Sequence, residues 1–492
     1  MAQVHGAVNN SNAIILPYVF AVIADMKLNR LTTLLARTLL GIAFSVSFPF
    51  GSPVFAQDSD SIHIIRDAEI EYYIRELATP VFRAAEIDPK SVSLVIIKSN
   101  VINAFVAGGM NEFFYTGLLQ ATESPEQLLG IIAHETGHMA GGHLIRGNEA
   151  MRNASTQAII GMILGVAAGV ASGKGDVAMG AISGAQQIAQ RNILSFSRTQ
   201  ENSADAAGLT YMDRAGVTSR GMLEFMEKLK GQEMLPTDRQ VEYVRTHPLT
   251  QDRIDSVAYH LKNSPYANKK LDPKFAVMHE RMKAKLMGFL QPETALLRYT
   301  GKDQRLTARY ARAIALYQSG QLQRALDLMD GLIKEEPNNP FFYELKAQAL
   351  FENGRVEEAV PLYKKGVDLL PNSALLRIAY AHALLESKDT SRIDLAIQQL
   401  TEANRYEERA PETWRYLASA WGRKAELTKD PQYEGLASYA LAEEAMARGA
   451  DKEAKQFVDR AVKILPKGSP YWLRTQDIKM STDKEQEEDR QR

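Results

Sequence analysis

The chain has 492 residues, of which 45% are hydrophobic and 24% are charged, an ordinary composition for a folded globular protein. Its formal net charge is −1, with 58 basic against 59 acidic residues, so there is no basic excess to neutralise the phosphates of a nucleic acid. Cysteine is absent, which excludes disulfides, thiolate zinc sites and iron–sulfur clusters. A metal site in this chain must therefore consist of His, Asp and Glu.

The N-terminal region has the features of an export signal. From Met26 a basic start precedes an apolar stretch over residues 38–50, and Val54 and Ala56 supply small residues before a cleavage point. This order is that of a secretory signal peptide. The alternative is a single membrane anchor, but the apolar stretch is shorter than the roughly 20 residues that a spanning helix needs. We expect residues 1–56 to be an N-terminal extension plus signal peptide, with translation starting at Met26 and cleavage after Ala56.

The mature chain is predicted to begin with a helix and a small sheet. Residues 62–87 show a mostly helical pattern. Short β-branched or aromatic runs bounded by turn residues predict strands at 91–97, 101–106 and 112–116. A capping box with proline at the first helical position, Ser124-Pro125-Glu126-Gln127, then predicts the start of a helix.

Three later segments precede the C-terminal half. Residues 155–190 are rich in Ala, Gly, Ile and Met, but the longest apolar run, 158–171, is too short to cross a bilayer. This segment is either a helical hairpin that covers the core or a surface that contacts a membrane or an apolar partner. Residues 199–216 are predicted to form a helix that ends at a glycine. The polar stretch 231–246 shows no helical period and is predicted to be a mobile loop.

An internal repeat follows. A glycine, an alanine and a proline return with the same spacing in three copies: Gly320, Ala325 and Pro337; Gly354, Ala359 and Pro371; Gly449, Ala454 and Pro466. The first two copies are 34 residues apart, and the third repeats their internal spacing. Such a 34-residue period resembles the tetratricopeptide repeat, whose helix pairs stack into a curved array with a concave binding surface. We expect an all-α repeat domain over 304–480, a linker helix region over 271–303, and a charged, disordered tail over 481–492.

The segment His134-Glu135-Thr136-Gly137-His138 carries the strongest chemical signal. Histidines four residues apart on a helix lie on one face, so both imidazoles can bind a single Zn²⁺. Glu135 is then placed to take a proton from water rather than to bind the metal. A pair of surface histidines is the alternative, but this segment follows an apolar, capped helix start. We therefore expect one zinc ion per chain.

A third metal ligand must come from elsewhere in the chain. The metzincin spacing requires a histidine where Leu144 stands, and His143 misses that position by one. The better candidate is Glu201, with Asp205 one helical turn later. Asp205 would accept a hydrogen bond from the far nitrogen of a zinc-binding histidine. A solvent-exposed acidic face is the alternative, but several alanines surround these two carboxylates. We predict His134, His138 and Glu201 as the metal ligands.

These motifs, together with a His-Pro pair at 247–248, resemble gluzincins of the HtpX and CaaX-prenyl-protease type. The signal peptide and the repeats extend the resemblance, over nearly the whole mature chain, to the periplasmic BepA-type branch. The chain departs from the HtpX and prenyl-protease branches because it lacks convincing transmembrane helices. The resemblance implies an α+β fold, with a mostly helical zincin protease domain and a small β-sheet over 57–270, followed by an all-α tetratricopeptide-repeat solenoid.

The resemblance also implies further site residues. His247 would either occupy the open zinc position and keep the enzyme latent, or stabilise the oxyanion during turnover. Arg253 matches a basic residue of the family, although an ordinary helix-surface arginine is an equal alternative. Asn103, Ala104 and Phe105 match the strand before the active-site helix, whose edge would pair with an extended substrate.

The implied function is that of a periplasmic zinc metalloendopeptidase in the assembly and quality control of outer-membrane β-barrel proteins. Its partners would be polypeptide substrates, barrel precursors and the barrel-assembly machinery, the last two reached through the repeats, with peripheral contact to the outer membrane left open. The alternative is a repeat-based chaperone or scaffold whose protease site is latent. An active and a latent site have the same ligands, so the sequence leaves both interpretations open.

Overall fold

The computed structural model describes residues 63–142, 198–232, 235, 239–407 and 410–491. The predicted signal peptide, the apolar segment 155–190 and His143 lie outside the described residues. In the part of the chain that the structure describes, no helix combines the length and the apolar character needed to cross a membrane.

A small mixed sheet opens the described chain. Its strands are β1 (Ile64–Ile65), β2 (Ser93–Ile97), β3 (Ala104–Ala107) and β4 (Asn111–Tyr115). The strand order is β1-β2-β4-β3, with β2 and β4 parallel and the other pairs antiparallel, so β3 lies at an edge. The three predicted strands are confirmed with small shifts of their ends. β1 was not predicted because two residues give no periodic pattern.

Helices pack around this sheet. They are α1 (Ala68–Ala84), α2 (Thr116–Ala121), α3 (Pro125–Ala140), α4 (Arg198–Arg214), α5 (Arg220–Leu229), α6 (Glu242–Thr246) and α7 (Gln251–Asn263). α3 begins as predicted, because the Ser124 side chain accepts a 3.2 Å hydrogen bond from the Gln127 N–H. Almost every residue of α3 is buried, since β3 and α1 contact it as well as α4 and α5.

The prediction of a mobile loop over 231–246 is wrong in its last residues. Those residues form α6, in which Val244 and Thr246 are buried. The Tyr243 N–H donates a 3.0 Å hydrogen bond to the Ile102 carbonyl beside the sheet. A contact between segments this far apart in sequence fixes the helix, and the local pattern of polar residues does not contain that information.

Two glycines set the separation between α3 and α4. A Cβ atom on Gly137 would lie 2.4 Å from the Ala204 carbonyl oxygen, and one on Gly208 would lie 2.8 Å from that of Ala133. Real Cβ contacts are never this short, so any side chain at either position would push the helices apart. The close approach brings the first turns of α4 against the histidine-bearing part of α3.

The helices over 271–303 do more than link two domains. They are α8 (Pro273–Leu290) and α9 (Pro292–Arg298). Met282 and Phe289 of α8 are fully buried, and α8 contacts α1, α2 and α3 as well as the first repeat helix. The neutral ring of His279 bridges two of these neighbours, because its nitrogens lie 2.9 Å from the Tyr73 hydroxyl and 3.2 Å from the Thr122 carbonyl oxygen. α8 is therefore a core element of the N-terminal region.

The remaining helices form the predicted repeat solenoid. They are α10 (Leu306–Gln318), α11 (Leu322–Glu335), α12 (Pro340–Glu352), α13 (Val356–Leu369), α14 (Ala374–Glu386), α15 (Ile393–Asn404), α16 (Pro411–Thr428), α17 (Pro431–Arg448), α18 (Asp451–Ile464) and α19 (Pro470–Gln491), with a 3₁₀ turn at Thr390–Arg392. The repeated glycines Gly320, Gly354 and Gly449 all have left-handed φ, at 74°, 75° and 72°. Each ends a helix in the conformation that favours glycine. The predicted fold class is confirmed.

The prediction of a disordered tail over 481–492 is wrong. α19 continues through this segment to Gln491. The tail contains no glycine or proline and consists largely of Lys, Glu, Gln, Asp and Arg. Most of these residue types have high helix propensity, so a helix that starts at Pro470 has no local reason to stop.

Candidate metal centre

Four buried side chains converge between α3, α4 and the end of α6. His134, His138, Glu201 and His247 each present one ligand atom, and these atoms all lie within 4.8 Å of one another. Their exposed fractions are 2% or less. Groups of this kind are rarely buried together without a metal or another charge that compensates them.

Four separations between donor atoms are close to those between neighbouring ligands of a tetrahedral metal site. His138 Nε2 lies 3.1 Å from His134 Nε2 and 3.2 Å from Glu201 Oε1. His134 Nε2 lies 3.4 Å from Glu201 Oε2, and His247 Nδ1 lies 3.3 Å from Glu201 Oε1. Zinc–nitrogen bonds of roughly 2.0–2.1 Å in a tetrahedron place neighbouring ligand atoms about 3.3 Å apart. The donor set and its spacing therefore fit a small divalent cation.

Asp205 and Arg253 hold His134 and Glu201 in place through hydrogen bonds and an ion pair. Asp205 Oδ1 accepts a 2.7 Å hydrogen bond from His134 Nδ1, which directs Nε2 of the same ring toward the cluster. Arg253 donates to both Asp205 oxygens, at 2.6 Å from Nε and 3.0 Å from Nη2. Its Nη1 lies 2.8 Å from Glu201 Oε2. Arg253 is only 3% exposed, so it is not the helix-surface arginine of the alternative interpretation.

The electrostatics of the site follow from these contacts. Burial opposes ionisation of Asp205, but hydrogen bonds from His134 and Arg253 outweigh it and hold the pKa of Asp205 below its usual value. Burial also lowers histidine pKa values, yet Asp205 and Glu201 raise that of His134 to about 10, whereas burial lowers that of His138 to about 3. A metal that binds both rings would therefore have to displace a proton from His134.

Glu135 lies beside the cluster and is fully buried. Its Oε1 is 3.5 Å from His247 Nε2. Burial raises the pKa of Glu135, against the attraction of His247 and His134. A carboxylate with a raised pKa is a better proton acceptor near neutral pH than an exposed one.

The three predicted strand residues, Asn103, Ala104 and Phe105, have different contacts in the structure. His247 Nε2 lies 3.3 Å from the Ala104 carbonyl oxygen, and the Thr246 hydroxyl donates a 3.3 Å hydrogen bond to Asn103 Oδ1. The segment that ends in His247 therefore lies along the start of the edge strand β3. Phe105 instead stacks on Phe113, with ring centroids 4.6 Å apart.

Tyr243 is a site residue that the sequence did not indicate. Its ring lies 4.8 Å from that of His247 and 5.6 Å from that of Phe225. Beside these rings a narrow cavity next to His134 is lined by apolar side chains, among them Met222, Met226, Leu229 and Leu249. The only local signal is the four-residue spacing between Tyr243 and His247. This spacing brings the two rings together because the chain between them is helical.

Comparisons with known proteins match two parts of the chain to described families and most of the chain to named relatives. Residues 65–261 match the model of peptidase family M48, and residues 310–374 match a tetratricopeptide-repeat model. Two curated relatives are named beta-barrel assembly-enhancing protease. The protein from Yersinia pestis is 25% identical over 372 residues, which cover 73% of this chain and 74% of the relative. The protein from Escherichia coli strain K12 is 24% identical and covers 73% of each chain.

Among solved structures, the repeat protein YrrB, described as having an unusual peptide-binding site, is 15% identical with a TM-score of 0.26, covering 40% of this chain and 91% of its own. The structure titled MamA MSR-1 C2 is 17% identical with a TM-score of 0.28, covering 36% of this chain and 97% of its own. TM-scores this low do not establish a shared overall arrangement.

Proposed function

We propose that this chain, whose residues 65–261 match the model of peptidase family M48, is a zinc endopeptidase that acts in the assembly and quality control of outer-membrane β-barrel proteins. The observation that carries the proposal is the buried convergence of His134, His138 and Glu201 beside Glu135. The barrel-assembly role is supported by the names of relatives that share about a quarter of the aligned residues over most of both chains.

Zinc is the metal we propose for this centre. Two imidazoles and a carboxylate are the ligand set of many catalytic zinc sites, and the absence of cysteine excludes a thiolate site. When bound, zinc would act as a Lewis acid that activates water and polarises the scissile carbonyl. His134, His138 and Glu201 would hold it, and Asp205 would keep the His134 ring oriented through its 2.7 Å hydrogen bond.

The chain's own residues would then move the proton. Glu135 accepts a proton from the attacking water at its carboxylate and passes it to the nitrogen of the leaving amine. Burial helps in both directions, because a raised pKa makes Glu135 an adequate base and, once protonated, an adequate acid. Substrate backbone would pair with the edge strand β3, and His247, which lies 3.3 Å from the Ala104 carbonyl oxygen, would have to move aside for it.

The proposed location is the periplasm. The basic and apolar segments over 26–56 have the order of a cleavable export signal, and the lack of cysteine suits an oxidising compartment. The repeats over 310–374 offer a surface for barrel precursors and for the assembly machinery.

The test is hydrolysis of casein and of quenched-fluorescence peptides by purified full-length protein and by Glu135→Gln. We expect wild type to retain about one zinc per chain and to cleave, and Glu135→Gln to retain the metal but to lose activity by ~10²-fold or more. The comparison is repeated with His247→Ala alone and with His247→Ala combined with Glu135→Gln. Without His247 the fourth metal position would be free for water. Undiminished cleavage by the double variant would contradict the assignment of Glu135.

A second candidate function is that of a repeat-based chaperone or scaffold with a latent protease. One observation favours it: His247 joins the other three donors, and four protein ligands would complete a tetrahedral site and leave no place for water. A strain that lacks the endogenous protein separates the two functions. Full rescue of barrel assembly by Glu135→Gln would favour the scaffold, whereas failure to rescue would favour proteolysis.

A test of the repeat domain should use point substitutions rather than a truncation. A truncation after about residue 300 would remove Tyr310 and Glu344, which meet the buried charges of α1 and α8. Such a chain would fail through misfolding and would say nothing about partner binding. Substitution of an exposed repeat residue such as Glu386, which pairs with the half-buried Arg423 at 2.8 Å, tests the binding surface without this problem.

A further inference from the structure

A buried cluster of charges joins the start of α1 to the repeat solenoid. Lys285 of α8 lies 2.9 Å from both carboxylate oxygens of Asp67. Arg281, one turn earlier on α8, lies 2.8 Å from Glu69 Oε1. The Tyr310 hydroxyl, from the first repeat helix, donates a 2.6 Å hydrogen bond to Glu69 Oε2. Each of these residues is at most 7% exposed, so the cluster is buried between α1, α8 and the first repeat helix.

Glu344 of α12 adds a third carboxylate to this interior. It is 5% exposed, and its Oε2 lies 4.0 Å from Lys285 Nζ. Asp67 lies closer to the same ammonium group, at 2.9 Å. The same Oε2 atom makes no hydrogen bond with the described residues. Fully ionised, the cluster would contain three carboxylates against two cations. Burying an uncompensated charge is strongly unfavourable, so one carboxyl should stay protonated.

The surroundings identify Glu344 as that carboxyl. Burial, with the nearby Asp67, Glu69 and Glu71, raises the pKa of Glu344 to about 8, against the attraction of Lys285. The pKa of Glu69 is lowered instead, because Arg281 and Lys285 outweigh the effect of burial. The titratable groups that act on Glu344 from the neighbouring elements are Asp67, Glu69 and Glu71 at the start of α1, Lys285 of α8 and Tyr363 of α13. The further titratable groups of the cluster are Arg281 of α8 and Tyr310 of α10, which contact Glu69, and Glu336 after α11, which contacts Arg281.

We propose that Glu344 is a proton-operated latch between the start of α1 and the repeat solenoid: the protonated acid keeps the joint closed, and its ionisation loosens it. Loosening would let water reach the extra charge between α1 and α12. Because Asp67 also caps α1, accepting hydrogen bonds from the Glu69 and Ile70 N–H groups at 3.1 and 2.9 Å, the first turn of α1 would lose order as well. This latch is independent of the proposed peptidase function.

The latch would couple the repeats to the N-terminal region. α1 packs against α3, which carries His134 and His138, and against α4, which carries Glu201. The order of α1 therefore affects how these two helices are held. The aromatic contact between Tyr72 and Phe341, with ring centroids 5.7 Å apart, lies on the same joint and would open with it. A rise in external pH would therefore weaken the contact between the repeat solenoid and α1.

The test is hydrogen exchange of the full-length protein between about pH 6 and about pH 9.5, corrected for the intrinsic pH dependence of amide exchange. In wild type we expect the amides of the first turn of α1 to lose protection by at least about tenfold as Glu344 ionises. Glu344→Gln, neutral at this position throughout, should keep the protection of the first turn of α1 at every pH. Glu344→Met is a second neutral variant with the same expected result, and circular dichroism at the lower pH verifies that both are folded.

Glu352→Gln is the matched control. Glu352 is on the same helix as Glu344, but it contacts Gln348 and Tyr317 within the repeats. This control should keep the wild-type transition in α1. Two results would overturn the proposal: a loss of α1 protection in Glu344→Gln equal to that of wild type, or a wild-type joint that shows no transition over this range.

Discussion

Arg253 and Glu201 form an ion pair inside the metal centre, with Arg253 Nη1 2.8 Å from Glu201 Oε2. The guanidinium thereby holds one oxygen of the carboxylate and leaves Oε1 directed at His138 and His247. The same guanidinium fixes Asp205 through two further hydrogen bonds. One arginine therefore orients the proposed metal ligand Glu201 directly and the proposed ligand His134 through Asp205.

Replacement of Arg253 by methionine should weaken metal binding although all proposed ligands remain. Loss of supporting groups of this kind typically costs 10–100-fold in metal affinity. Leaving Asp205 and Glu201 without their partner should also destabilise the fold by about 3–5 kcal/mol, because both carboxylates are buried. Competition with a chelator measures the first effect, and urea denaturation measures the second. Arg245→Met, which removes a partly exposed pair with Glu242, is the control and should change neither strongly.

His247→Ala should raise basal proteolysis while the protein keeps its zinc. His247 lies at the end of a short helix and contacts Glu201, Glu135 and the edge of β3, so its removal frees the fourth metal position and the strand edge together. Casein hydrolysis and self-cleavage measure the effect, with metal content determined in parallel. The rival role in oxyanion stabilisation predicts a loss of ~10²-fold or more, so an inactive, zinc-replete variant would refute the role of His247 in keeping the site latent. His260→Ala, at a partly exposed histidine of α7, is the control.

Gly137→Ala should damage the metal site without touching a ligand. The added Cβ would lie 2.4 Å from the Ala204 carbonyl oxygen, so α4 must move away and take Glu201 with it. We expect metal affinity to fall by about tenfold or more and the fold to lose roughly 1–3 kcal/mol. Gly422→Ala in α16 has open space around the new Cβ and should instead stabilise the fold by about 0.5–1 kcal/mol. Equal effects of the two substitutions would contradict the close-packing argument.

Glu352→Gln should stabilise the protein increasingly as pH rises. Burial raises the pKa of Glu352 to about 7, above the usual value of about 4.3 for an unfolded chain. The ionised form is therefore less favourable in the folded state, and the stability that protonation provides is lost as pH rises from about 4.3 to about 7. Glutamine has no such loss. Thermal unfolding at low and high pH should show a Tm gain that is small near pH 4.5 and largest above pH 7; a gain independent of pH would show that Glu352 does not titrate as argued.

Local signals explain how much of this protein was predictable. The capping box at Ser124 and the histidines one turn apart on α3 are encoded within one or two turns of chain, and the 34-residue spacing of Gly320 and Gly354 spans a single helix pair. Such signals survive in any tertiary context, because they depend on helix geometry and on the left-handed conformation of glycine. The resemblance to gluzincins added His247 and Arg253, but it did not indicate what either side chain contacts.

The sequence by itself determined the helical metal motif, the repeat architecture and the order of the two regions, since each follows from spacing along the chain. Only the tertiary structure decided that Arg253 bridges Glu201 and Asp205, that Tyr243 belongs to the site, and that Asp67, Lys285 and Glu344 meet in one interior. These contacts join residues separated by tens to hundreds of positions. Their existence depends on how closely whole helices pack, as at Gly137 and Ala204, and no periodicity along the chain specifies that distance.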